Sequence, residues 1–298
     1  MKDLIIKTLE ENRLYDDNYD LVSYNKINNF FKDYKLNTSN NNPLPNNLRR
    51  DKNGFLILDN EPFIISDLEI DGHNDNKWML FSNGSRALLK NVYQDELQME
   101  LLFQELANTL NIPSAKYDVV TLNKNPFLIS KSFLSLEEYL FDYYNVEKKT
   151  FIDVEELVKE GKKINQDKHV RKTLFIDLLT KHYDRFPHNF KIIMSKENKK
   201  VAPLYDNGLC CIGTLYKSRF TFPEYKGSIN PSNIIKFLIS DEEFRNWVSN
   251  YINKINPISF KDKIKQEKGI YIDNDMNELF IKNVQENQTL TKRIIKNS

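Results

Sequence analysis

Three polar residues, spaced across a loop and a hairpin, constrain this chain more than any other feature. Asp184 lies in His182-Tyr183-Asp184-Arg185-Phe186-Pro187-His188-Asn189, with Asn189 five positions on. Two short β-type runs, 190–194 and 201–204, flank a turn at 196–200 and deliver a second acid, Asp206, just before Gly208. Phosphoryl transfer needs such a set: a carboxylate beside the attacking hydroxyl, and two oxygen ligands that hold Mg2+ against the phosphates. In that template Asp184 accepts the hydroxyl proton, while Asn189 and Asp206 bind metal. An Asp and an Asn in a loop also make local turn hydrogen bonds, so the remaining residues must support the assignment.

They are arranged in a suitable order. Residues 1–34 read as helical, with Leu4, Ile5, Leu9, Leu14, Leu21, Ile27, Phe30 and Phe31 among many charges. Residues 35–47 are Asn-rich and contain Pro, which is linker composition and sets a boundary near residue 50. From Gly54 short β-type segments begin at 55–58, 62–70, 77–81 and 86–92, the last two joined by Ser82-Asn83-Gly84-Ser85, a hairpin signal. A helix over 95–111 places Glu100, Phe103, Ala107 and Leu110 on one face, and strands return at 117–122 and 126–130. After Leu134 the chain is mostly helical, with an almost wholly apolar segment at 170–179 that predicts a buried helix leading into His182. The expected architecture is α+β and bilobal: a helical extension and linker over 1–50, a small β-rich lobe over 51–130, and a larger helical lobe over 131–298.

Several residues before Asp184 fit the same chemistry. Lys90 ends the strand Arg86-Ala87-Leu88-Leu89-Lys90, where a lysine can reach nucleotide phosphates, and Glu100 on the next helix offers the carboxylate that would hold it there. A lysine in such a strand is otherwise an edge residue reaching solvent. The connection from Asp71 to Lys77 falls where a phosphate loop would lie, with Gly72 and Lys77 as its candidate contacts. Having one glycine and two acids, it reads equally as a plain strand connection. Residues 126–131 fall where the segment between the lobes should run, so Phe127, Leu128, Ile129 and Lys131 are candidate nucleotide contacts. An ordinary buried strand is the other reading.

Composition narrows the alternatives. Lys and Arg number 43 against 42 Asp and Glu, a net charge of +1, which gives no field for nucleic acid or a membrane surface. The basic runs Arg49-Arg50 with Lys52 and Lys196 to Lys200 read as solvated loop charge. The first residues do not form a signal peptide, and no apolar run approaches the roughly 20 residues of a bilayer span. Cys210 and Cys211 are the only cysteines, which excludes a disulfide framework and a zinc site, and they read as small buried apolar residues. These features predict a protein folding in a reducing cytoplasm.

Taken together, the phrases resemble the HipA-type serine/threonine kinases, a bacterial family that includes toxin components of toxin–antitoxin pairs. The resemblance runs from about residue 54 to 225. It rests on Gly72 to Lys77 with the hairpin ending at Leu89-Lys90, Glu100 with Leu106-Ala107, Asn111-Ile112-Pro113, and residues 127–133. Its most specific part is Tyr183-Asp184-Arg185 with Asn189, then Val201-Ala202-Pro203-Leu204-Tyr205-Asp206. It implies a kinase-like fold, ATP and Mg2+ as cofactors, and protein serine or threonine hydroxyls as acceptors. Lys90 would then bind the ATP phosphates, Asp184 act as base, and Asn189 and Asp206 hold the metal. The implied partners are a protein substrate and an antitoxin or host protein. No DNA or membrane binding is expected, and the protein would act in the cytoplasm or as a delivered effector. Two departures stand out: Phe186 where the family usually has His, and no serine between Asp71 and Lys77, so an autophosphorylated hydroxyl would come from Ser82, Ser85 or residues 214–221. A lipid or small-molecule kinase, and an inactive nucleotide-binding module, are the competing functions.

Overall fold

The alternating segments after residue 48 assemble into a seven-stranded sheet. In chain order its strands are β1 (Arg49–Arg50), β2 (Leu56–Ile57), β3 (Phe63–Ile65), β4 (Asn76–Phe81), β5 (Arg86–Lys90), β6 (Tyr117–Leu122) and β7 (Asn125–Lys131). Their spatial order is β1-β2-β6-β7-β5-β4-β3, antiparallel except for the β2/β6 pair. The structure is a computed structural model that describes residues 48–58, 63–65, 76–81, 85–122, 125–134, 138–143, 151–182, 185, 189–195, 198–212, 224–225 and 230–297. The expected N-terminal helix and linker, Gly72 and its loop, Ser82 to Gly84, Asp184, Phe186 and residues 214–221 lie outside the described residues.

Register assigns each strand residue to a face, because directly opposed residues point the same way. Lys90 opposes Asn76 on β4 and Leu128 on β7, Leu88 opposes Ser130, and Ser130 in turn opposes Tyr117. These residues share one face. On the other, Ala87, Leu89, Met79, Val120 and Ile129 join Leu56, Leu58 and Phe81 in a small separate core.

Helix α1 (Gln94–Thr109) connects β5 to β6. It was expected to bury one face, yet every residue from Leu97 to Ala107 is buried. The reason is that sheet and helices enclose it: β6 packs on one side, and α6 (Phe260–Lys268) and α7 (Asn274–Lys296) on others. Gln98, Glu100, Gln104 and Glu105 are therefore buried polar groups that need partners.

The remainder is mostly helical: α2 (Val154–Lys163), α3 (Asp167–Thr180), α4 (Pro231–Ile239) and α5 (Glu242–Tyr251), followed by α6 and α7. Asp153 caps α2 by accepting from the backbone N–H of Glu155 and Glu156, and Asp241 caps α5 through Phe244 N–H. As its composition predicts, α3 buries Val170, Leu174, Phe175, Ile176 and Leu179 in the main core. It ends at Lys181, whose φ of 49° turns the chain toward His182. A second sheet, ordered β11-β10-β8, consists of β8 (Tyr139–Asp142), β10 (Lys191–Met194) and β11 (Lys199–Val201). A short pair joins β9 (Phe151–Ile152) and β12 (Glu224–Tyr225). The hairpin β10–β11 is the expected one, although its second strand ends at Val201 and Leu204 instead bridges to Ser114.

Two expectations need correction. Arg49 and Arg50 are not loop residues: they form an edge strand, and Arg50 clasps Asp118 with paired contacts of 2.8 and 2.9 Å. The partner lies 68 positions away, so local composition could not reveal it. Residues 126–131 do not join two parts of the protein. They lie inside β7, which pairs with β6 on one side and β5 on the other.

Candidate active site

The site begins with the last residue of β5. Lys90 is buried, its side chain 6 % exposed, and a buried ammonium needs anionic partners. It has two. Its Nζ donates to Asp206 Oδ1 at 2.5 Å and lies 3.6 Å from Glu100 Oε1 on α1. Burial pulls the lysine pKa down, but the charges of Asp206, Tyr117 and Glu100 outweigh it and hold the ammonium well above its usual value. Asp206 faces the opposite pull. Burial raises its carboxyl, Lys90 and Arg185 lower it further, and the group ends below the normal carboxylate range. Its side chain is 42 % exposed, so a charged oxygen is presented outward from a buried cation.

The turn that carries Asp206 is fixed by its neighbours. Asp206 has φ 55°, a left-handed conformation that Asp tolerates better than most residues. Its backbone N–H donates to the Tyr117 hydroxyl at 3.0 Å. Asn207 then bridges two charged groups. Its N–H and Nδ2 donate to the two oxygens of Glu100 at 2.8 and 3.0 Å, while its Oδ1 accepts from Arg185 Nη2 at 2.7 Å. Both ends of the amide are engaged, so its orientation is set.

Arg185 is the hub of the loop that bears Asn189. It is fully buried, faces Asp177 on α3 at 2.9 Å, and donates from Nη1 to Tyr205 O at 2.9 Å and Asn189 O at 3.5 Å. Burial lowers the guanidinium pKa, but Asp177 more than offsets this. One side chain thus ties α3, the Asn189 loop and the Asp206 turn together. His182 lies alongside, buried, with Nε2 3.3 Å from the Asp206 carbonyl; burial and Arg185 hold its pKa well below normal, so it is neutral.

Glu96, one turn before Glu100, adds a further acid. Burial, reinforced by the Asp206 charge, pushes its carboxyl up to about 7, against the pull of Lys90. Close against it lies Gly208, where a Cβ would stand 3.0 Å from Glu96 Cβ and 3.1 Å from Glu96 O. Gly208→Ala should therefore push the Asp206 turn away from α1 and cost about 1–3 kcal/mol. A chemical denaturation midpoint equal to the parent's would show that the turn has slack at this point.

Not all of the expected residues are assembled here. Lys90, Glu100 and Asp206 meet directly, and Asn189 joins through Arg185. Leu128 lies on the Lys90 face, buried in the main core. Lys77, Phe127, Ile129 and Lys131 lie on the opposite face, because Lys77 opposes Leu89, Phe127 opposes Val120, Ile129 opposes Leu89 and Lys131 opposes Ala87. Their side chains point away from Lys90, and the β7 backbone is used by the strand ladder on both sides. Asn76, directly across from Lys90, is buried and its Oδ1 lacks a hydrogen-bond partner. The sequence reading gave no role to Asn76, Tyr117, Asn207, Arg185 or Asp177; of these, only Arg185 and Asn207, beside Asp184 and Asp206, carried a local signal.

Among the described residues no three His, Cys, Asp or Glu side chains group as a metal site. One carboxylate and one amide nevertheless suit Mg2+, a hard cation that keeps several waters and completes its shell with phosphate oxygens. Of the two expected groups, Asp206 is charged and exposed, and Asn189 is half-buried and reaches Arg185 through its backbone carbonyl.

No family model matches the chain, and no curated protein matches it by sequence. Similarity appears at the level of structure. The proinflammatory kinase CtkA of Helicobacter pylori is similar over 79 % of this chain and 97 % of its own, at 14 % identity and a TM-score of 0.58. HipA of Shewanella oneidensis, in its complex with HipB and operator DNA, is similar over 78 % of this chain and 63 % of its own, again at 14 % identity, with a TM-score of 0.51. With its β-rich sheet, its helical C-terminal part and the Lys90 site between them, the chain has the fold of the HipA-like kinases.

Proposed function

We propose that the protein is an ATP- and Mg2+-dependent kinase that phosphorylates serine or threonine hydroxyls of a protein. One observation carries the reading: the buried Lys90 ammonium lies between the Asp206 and Glu100 carboxylates, 2.5 and 3.6 Å away. Such a trio places a fixed positive charge and an outward-facing carboxylate side by side, which is what the phosphates and metal of a nucleotide require. Asp206 and Asn189 would hold Mg2+, which when bound neutralises charge on the phosphates. Lys90 would meet the phosphates, with Glu100 keeping it in place. Asp184 would accept the proton of the attacking hydroxyl. On this reading residues 51–130 form the smaller lobe, 131–298 the larger, and 1–50 an extension.

The neighbours support a reading of the partners. HipA of Shewanella oneidensis belongs to a toxin–antitoxin system, and CtkA is described as proinflammatory. An antitoxin or a host protein is accordingly the proposed partner, and the chain would act as a toxin in the cytoplasm or as a delivered effector. Its near-zero net charge favours neither DNA nor an anionic membrane as a ligand of its own. No helix among the described residues is long and apolar enough to cross a membrane.

The test is incubation of the purified protein with radiolabelled ATP, Mg2+ and a generic protein acceptor, beside Asp184→Ala. Label should appear on serine or threonine, and Asp184→Ala should transfer about a thousandfold less while still binding ATP, because a base acts at the transfer step. ATP binding without any label would redirect the search to a lipid or small-molecule acceptor. No ATP binding at all would overturn the kinase reading.

A further inference from the structure

The helix that carries Glu100 is held from behind as well as from the front. On its rear face Gln98, buried, makes a reciprocal pair with Asp273: Gln98 Nε2 donates to Asp273 Oδ2 at 2.7 Å, and Asp273 N–H donates to Gln98 Oε1 at 2.7 Å. Gln94 Nε2 reaches the same carboxylate at 3.4 Å. Two turns further along, Glu105 meets Lys263 of α6 at 2.6 Å. The end of α6 is itself pressed on the sheet side: Gly269, with φ 71°, abuts Gly54, where a Cβ would stand 2.3 Å from the Gly269 carbonyl carbon.

Asp273 is the residue at which this arrangement departs from the ordinary. It occupies the N-cap position of α7, where an aspartate normally accepts from the first free N–H groups of its own helix. Asp153, Asn230 and Asp241 do so at α2, α4 and α5. Asp273 makes no such cap; its carboxylate turns to α1 instead. Gln98 and Glu100 are two residues apart, about 200° around the helix, so the rear tether and the Lys90 contact lie on nearly opposite faces. A helix fixed on both sides cannot rotate Glu100 away from Lys90.

We propose that Gln98 and Asp273 are positioning residues that lock α1 with Glu100 engaged, whether or not nucleotide is bound. The catalytic consequence rests on the kinase reading above; the lock itself does not. It assigns a regulatory character too: α1 is not the moving part of this protein, and control must act elsewhere.

A charge-relay of substitutions tests it on the full-length protein. Gln98→Glu keeps the acceptor for Asp273 N–H but sets two carboxylates against each other. Asp273→Asn added to it restores a donor–acceptor pair. In Gln98→Glu, amide hydrogen exchange over 94–104 without nucleotide should quicken about tenfold or more, and kcat should fall about ten- to a hundredfold, the range that misplacement of a supporting group produces. The double variant should recover both. A structural role alone would lower the melting temperature with kcat unchanged, and exchange would quicken throughout the protein instead of over 94–104. Unchanged exchange in Gln98→Glu, or a double variant no better than the single, would overturn the proposal. If the parent transfers no phosphate, exchange and its repair still decide whether α1 is locked, and only the kinase reading falls.

Discussion

Asp206→Ala is expected to weaken Mg·ATP binding and to lower phosphoryl transfer by about a thousandfold or more, the scale set by removing a preorganised charged group from such a site. The reason is the division of labour within the trio. Lys90 is buried and Glu100 is committed to Asn207 by two hydrogen bonds, so neither is free to hold a metal. Asp206 alone combines a carboxylate held in its charged form with an exposed edge. Removing it leaves Lys90 with Glu100 as counter-charge, so the fold should survive. Asp206→Asn is the sharper variant, since it keeps the shape and the turn while losing the charge. Titration of ATP at several Mg2+ concentrations is the measurement. Parent affinity should rise with Mg2+ and that of either variant should not. Mg2+-dependent binding of parental strength in both would remove Asp206 from the metal site.

How far the site could be read in advance depended on whether a signal was local. The strand Tyr117–Leu122 emerges with the expected bounds, and the apolar run at 170–179 becomes the buried centre of α3. Lys90, Glu100, Asn189 and Asp206 were candidates through their order along the chain, which is that of the kinase template, and the structure brings Lys90, Glu100 and Asp206 into contact. Which face each strand residue occupies was another matter. Lys77 and Asn76 are neighbours, and it is Asn76 that opposes Lys90. A β4–β5 turn longer by one residue would have exchanged them, so the answer lies in the register and not in the strand pattern. The same holds for β7, where Leu128 shares the Lys90 face and Ile129 does not. Long-range polar partners were equally hidden. Arg50 with Asp118 and Gln98 with Asp273 are 68 and 175 positions apart, and only the assembled fold brings them together.

Arg185 offers the second large effect, and it separates stability from positioning. Arg185→Leu strands Asp177 as an uncompensated carboxylate, 3 % exposed, inside the core. Breaking a buried pair in this way costs about 3–5 kcal/mol. Equilibrium urea unfolding should show a loss of that size. Asp177→Leu/Arg185→Leu should regain most of it, because apolar residues of similar volume can replace a buried ion pair at little cost. Activity should behave differently. Arg185 also donates to Tyr205 O and to Asn207 Oδ1, and Asn207 holds Glu100. Neither leucine restores those donors, so the double variant should be nearly as stable as the parent while remaining far less active. A double variant that recovered both would reduce Arg185 to a partner for Asp177. A single variant as stable as the parent would mean that the buried pair contributes nothing, and that the Asn189 loop and the Asp206 turn are joined by other means.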